Sequence, residues 1–129
     1  MGRTAKDLTS EEIYSYRPWR NLDRYQKNPE VAKRRALAWK VARAAAGMLK
    51  RQFGATRVVA FGSLARKSQF TPWSDVDIAA WEIPGEEYYI AVGALMDLGF
   101  EFGIKVDLVD AIDCSADFLK DIEQEGIEM

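Results

Sequence analysis

Asp75, Asp77 and Asp107 are the residues of this chain whose type and spacing most readily do chemistry. Asp75 and Asp77 stand two apart in Ser74-Asp-Val-Asp-Ile-Ala-Ala, and in a strand that spacing sends both carboxylates to one face. Asp107 interrupts a second apolar run, Ile104-Lys-Val-Asp-Leu-Val-Asp110, and joins the pair if the two strands lie side by side, about 4.8 Å apart. Three carboxylates so close repel one another unless a divalent cation sits between them, so the set suits metal-dependent transfer of a nucleotidyl group. An Asp-x-Asp pair alone is common in exposed loops. This one enters an apolar strand, where an uncompensated charge is costly. Asp110 is at an odd offset from Asp107 and belongs to the opposite face.

A second group of residues suits the phosphate side of the same chemistry. Val58-Val-Ala-Phe61 reads as a short strand, and Gly62-Ser63-Leu-Ala-Arg66 as a tight turn opening into a helix. Gly62 lets the backbone bend and approach a ligand without a side chain in the way. Ser63 is expected to cap the helix, aiming N–H groups and its hydroxyl at an anion such as a triphosphate, and Arg66 to add a charge-assisted contact. Ser74, immediately before the carboxylate pair, is counted with these nucleotide-binding candidates.

Composition removes competing chemistries. The 129 residues include no histidine and a single cysteine, Cys114, which excludes a catalytic triad with imidazole, a histidine metal site, an intrachain disulfide and a cysteine zinc cage. Carboxylates with oxygen-seeking metals remain. No apolar run approaches the length of a membrane span and no signal-peptide pattern opens the chain, so a soluble, cytoplasmic protein is expected. A net charge of −2 hides opposite halves: residues 1–57 hold 14 Lys or Arg against 5 Asp or Glu, and residues 58–129 hold 4 against 15.

The elements that must position these groups follow from caps and periodicity. Residues 1–28 read as a helical extension, with Thr9 and Glu12 as a capping box, Leu8 and Ile13 as a staple, and Trp19, Leu22 and Tyr25 as apolar anchors. Residues 29–129 form the main domain. Asn28-Pro29 starts a helix whose Leu37, Val41, Ala45 and Met48 face a core, ending near Phe53 with Gly54 as its stop. Its Lys33, Arg35, Lys40, Arg43, Lys50 and Arg51 read as a solvated basic face. A strand over 74–81, a helix from Glu86 to Leu98 stopped by Gly99, a strand over 104–110 and a helix over 116–125 with Asp113 or Ser115 as its cap complete the pattern. The fold class is α/β (α+β): a small mixed sheet of three to four strands flanked by helices.

Gly62-Ser63-Leu64-Ala65-Arg66, Ser74-Asp75-Val76-Asp77 and Val106-Asp107-Leu108-Val109, in that order over residues 31–126, resemble the motifs of the minimal nucleotidyltransferases of the DNA polymerase beta superfamily. The chain departs from that pattern at Lys67, where the family often has glycine. The resemblance implies the polymerase beta-like nucleotidyltransferase fold, two magnesium ions held by Asp75, Asp77 and Asp107, ATP as substrate, and Asp107 as proton acceptor. It also implies a helical HEPN-type toxin as partner, with AMP moved to a toxin tyrosine and this chain as the antitoxin. Two alternatives stand beside that expectation: a small-molecule hydroxyl as acceptor, or a non-catalytic module that neutralises its partner by contact. With no acceptor-binding lobe after Asp107, a partner protein or second subunit is the economical way to close the cleft. Nucleic-acid binding ranks last, because the basic face lacks interleaved aromatic residues.

Overall fold

The computed structural model describes residues 27–66 and 69–129, and the expected N-terminal elements, with Thr9, Trp19, Leu22 and Tyr25, lie outside them. Helix α1 spans Pro29–Gln52, β1 Arg57–Phe61, β2 Val76–Trp81, α2 Gly85–Phe102, β3 Val106–Asp110, α3 Ala116–Glu125 and β4 Ile127–Glu128. The strands form one mixed sheet in the order β3-β2-β1-β4, so the molecule is of the mixed α/β class. Strand β2 runs antiparallel to β1 and parallel to β3, with α2 as the crossover.

The helix caps follow the expected chemistry. The side chain of Asn28 accepts a hydrogen bond from the Glu30 amide at 2.9 Å, and the Ser115 hydroxyl accepts one from the Phe118 amide at 3.2 Å. Helix α2 ends differently from the expectation: it runs through Gly99 to Phe102, and Gly103, at φ +67°, is its left-handed cap. Gly99 is buried, and a Cβ there would collide with the Ile104 carbonyl oxygen. This glycine lets the chain after α2 return close to the helix; it does not stop it.

The two sheet faces are covered unequally because of the alternation of side chains. Val58 and Ala60 of β1, Val76, Ile78 and Ala80 of β2, and Val106 of β3 point into the main core beneath α1 and α2. Helix α1 contributes Ala38, Val41, Ala42, Ala45 and Leu49, whose small side chains let it lie close to the sheet, while Leu37 and Met48 pack at its margin. Each fully buried Leu, Ile or Val adds roughly 1.5–3 kcal/mol relative to leaving it in water. On the reverse face a much smaller cluster, Val59, Ala79 and Ile122 with Phe61 and Trp81 beside it, is covered by the ten-residue α3. Arg57 fastens that cover: it pairs with Glu123 of α3 and with Glu128 of β4, and its guanidinium lies 4.4 Å from the Trp81 ring centre. The two-residue strand β4 pairs with Val59 and Ala60, an edge the short run Ile127-Glu128 gives too little pattern to predict.

Candidate active site

The parallel pairing of β2 and β3 sets Asp77 directly opposite Asp107. Both belong to the thinly covered face, the one whose buried residues are Val59, Ala79 and Ile122. Strand β2 begins at Val76, one residue later than Asp75, so Asp75 stands in the approach to the strand and not within it as the alternation implied. The approach is nevertheless tied to β3, because the Val76 amide donates to the Lys105 carbonyl at 2.9 Å. The sequence-predicted trio is thus gathered at the starting ends of two neighbouring parallel strands.

The electrostatics of Asp77 report that gathering. Burial, then the charge of Asp107, then that of Asp75 push its carboxyl up to about 6, and Lys105 partly opposes them. Lys105 Nζ stands 3.6 Å from the Asp107 carboxylate, the lysine exposed and the aspartate half-buried. Among the described residues no three His, Cys, Asp or Glu side chains stand in metal-holding geometry. The donor set itself fits a hard cation: three carboxylates, no nitrogen or sulfur, and one of them carrying repulsion that a positive ion would relieve.

Gly62 supplies the second test of fit. Its φ is +72°, and a Cβ built on it would lie 2.5 Å from Asp77 Oδ2. The Asp77 carboxylate therefore rests against the turn backbone in space that any side chain would fill. The pairing of Phe61 with Asp77 across β1 and β2 is what brings the turn there.

The expectation that this turn opens a helix is corrected. Gly62–Leu64 forms a three-residue 3-10 turn and not the start of an α-helix, so Ser63 is no N-cap; the cap position is Phe61, with no side-chain cap bond. Both the Ala65 and Arg66 amides bond back to the Gly62 carbonyl, closing the turn on itself. Arg66 pairs with Glu125 of α3 and donates to Gln69 at 3.2 Å, which directs it along the surface toward α3. The buried Ser74 hydroxyl accepts from the Thr71 amide at 2.8 Å and lies 3.1 Å from the Thr71 hydroxyl; it shapes the loop that presents Asp75.

Two residues escaped the sequence reading. Arg34 donates to the Gly103 carbonyl and to the Ser74 carbonyl, each at 3.4 Å, linking the end of α2 to the residue before Asp75. Arg35 donates to the Leu64 carbonyl at 3.1 Å and so holds the Gly62–Leu64 turn from α1. Their Nε atoms are enclosed without a hydrogen-bond partner among the described residues, a cost consistent with positions set by where the Nη atoms must reach. Arg35 was read as part of a solvated basic stripe. Only its partners, 29 residues away, reveal its use.

No protein-family profile matches the chain, and no characterised protein is significantly similar to it. Among the described residues no helix is long and apolar enough to cross a membrane.

Proposed function

We propose that this protein is a magnesium-dependent nucleotidyltransferase that moves AMP from ATP to a hydroxyl group on a partner protein, and that it serves as the antitoxin of a HEPN/MNT pair. The observation that carries the chemical part is the Asp77–Asp107 register with the Gly62 backbone against Asp77: carboxylates and a side-chain-free turn meet at one edge of the open sheet face. The partner is supported by the motif resemblance alone.

In this reading Asp75, Asp77 and Asp107 would hold the magnesium, which when bound neutralises phosphate charge and makes a hydroxyl easier to deprotonate. The Gly62-Ser63 backbone and the Ser63 hydroxyl orient the triphosphate for in-line attack. Arg66 is available to a phosphate because its pair with Glu125 is surface-exposed, and such pairs contribute little. The acceptor oxygen bonds to the α-phosphorus while the bond from that phosphorus to the bridging oxygen of the β-phosphate breaks. Pyrophosphate leaves, and the acceptor proton passes to Asp107. Arg34 and Arg35 touch none of the reacting atoms; they position Ser74-Asp75 and the turn.

The test is incubation with α-labelled ATP, magnesium and the protein encoded beside this one. Label is expected on a partner side-chain hydroxyl and absent with the double variant Asp75→Asn plus Asp77→Asn. Equal labelling by that variant, or no labelling by the wild type, overturns the proposal.

A further inference from the structure

Two surfaces outside the carboxylate site are opposites in shape and charge. The first is the outer face of α2, where Tyr89, Met96 and Phe100 recur at helical spacing and are exposed, Phe100 at 88%. Gly93 lies between them, and a Cβ there would meet nothing within 4 Å among the described residues. The helix carries Glu86, Glu87, Asp97 and Glu101 and not one Lys or Arg. The second surface is a concavity of about 560 Å³ along α1, with an apolar floor that includes Val31, Trp39 and Phe70 and a rim that includes Arg35, Lys40 and Arg43. One is an acidic ridge with aromatic knobs. The other is a basic, apolar hollow.

We propose that a second copy of this chain occupies each surface: α2 of one molecule seats in the α1 hollow of the next, so that the chain associates head to tail. The choice of occupant rests on charge. A two-fold contact of α2 with α2 would set eight carboxylates together with no cation on either helix, and a contact of α1 with α1 would oppose two basic rims. Head-to-tail contact instead faces Asp97 and Glu101 with Lys40 and Arg43, and removes Phe100 and Tyr89 from water. A contact of this kind uses different patches on the two molecules, and so builds rings or open chains and not isolated dimers. The inference is independent of the transfer reaction, since the Asp77→Asn chain is expected to associate like the wild type.

The test is the mass of the full chain in solution, measured from about 1 µM to 1 mM, where contacts of modest size act. Mass is expected to rise with concentration and to fall back as salt is added. Phe100→Asp destroys the ridge and leaves the hollow; Lys40→Glu with Arg43→Glu spoils the rim and leaves the ridge. All three sites are exposed or half-buried, so folding is retained. Each variant alone is expected to be monomeric, and their equimolar mixture to stop at twice the chain mass, because only one productive contact remains between them. The proposal is overturned by a monomer at every concentration, by a rim variant that still dimerises by itself, or by assembly that appears only once residues 1–26 are deleted, which would place the chain's own N-terminal segment in the hollow.

Discussion

The two faces of the sheet were built for different work. Beneath α1 and α2 the side chains of Val58, Ala60, Val76, Ile78, Ala80 and Val106 are almost wholly excluded from water. On the other face, among the described residues, the short helix α3 covers Val59 and Ala79, and the starting ends of β2 and β3 carry Asp77 and Asp107. A single strand serves both faces because successive residues alternate: Val76 and Ile78 anchor β2 in the core while Asp77, between them, takes the other face opposite Asp107. Stability is concentrated on one side, which lets the other carry a carboxyl that burial, and then the charges of Asp107 and Asp75, raise to about 6.

That contrast can be broken most severely at Asp77. The Asp77→Asn protein is expected to lose label transfer by about 10³-fold or more, the scale of removing a group that acts on developing charge, while its melting temperature does not fall. A paired drop in activity and melting temperature would mean that Asp77 is structural. On the thick face the sign reverses: Ile78→Ala should cost about 2–5 kcal/mol in urea unfolding through the cavity it leaves. Ile122→Ala beneath α3 should cost less, since a ten-residue helix at the margin can settle into the space.

Gly62→Ala joins the two regions. The left-handed backbone disfavours any side chain by about 1–2 kcal/mol, and the new methyl group would push on the Asp77 carboxylate, so stability and activity should fall together. A pH series sharpens the picture further. Because the folded protein binds a proton at Asp77 more tightly than the unfolded chain does, the Asp77 contribution to stability is fully present below its ordinary value of 3.8 and is lost as pH rises to about 6. Unfolding measured from pH 4 to pH 6.5 should show the wild type losing ground to Asp77→Asn over that window; parallel curves would contradict it. The smallest effect is expected at Arg57→Ala, which unties α3 and β4 from exposed pairs and should lower the melting temperature by a few degrees at most.

How much of this was readable from the chain depends on the range of the forces involved. The carboxylates were visible because alternation is local: a charge inside an apolar run announces which face it takes, and a parallel partner places the third member. The caps at Asn28 and Ser115 were visible for the same reason. Gly99 was read as the stop of α2, whose cap is Gly103, because a buried close approach and a left-handed cap are both satisfied by glycine, and only the return of the chain at Ile104 separates them. The partners of Arg34, Arg35 and Arg66 within the fold were illegible. They lie 40, 29 and 59 residues away, and nothing local tells a bridging arginine from a solvated one. The resemblance to minimal nucleotidyltransferases is an expectation carried by three short motifs, to be decided by the transfer assay.

The matched positions of Asp77 and Asp107 also say something about how this protein can change over generations. Their separation is dictated by the ladder between two backbones, so α2 and the loops beside it can be lengthened, shortened or recoloured without disturbing the spacing of the two carboxylates. A slip of β3 by one residue is another matter: it would turn Asp107 toward oil and Val106 toward water in a single stroke, leaving no gradual route between the two alignments.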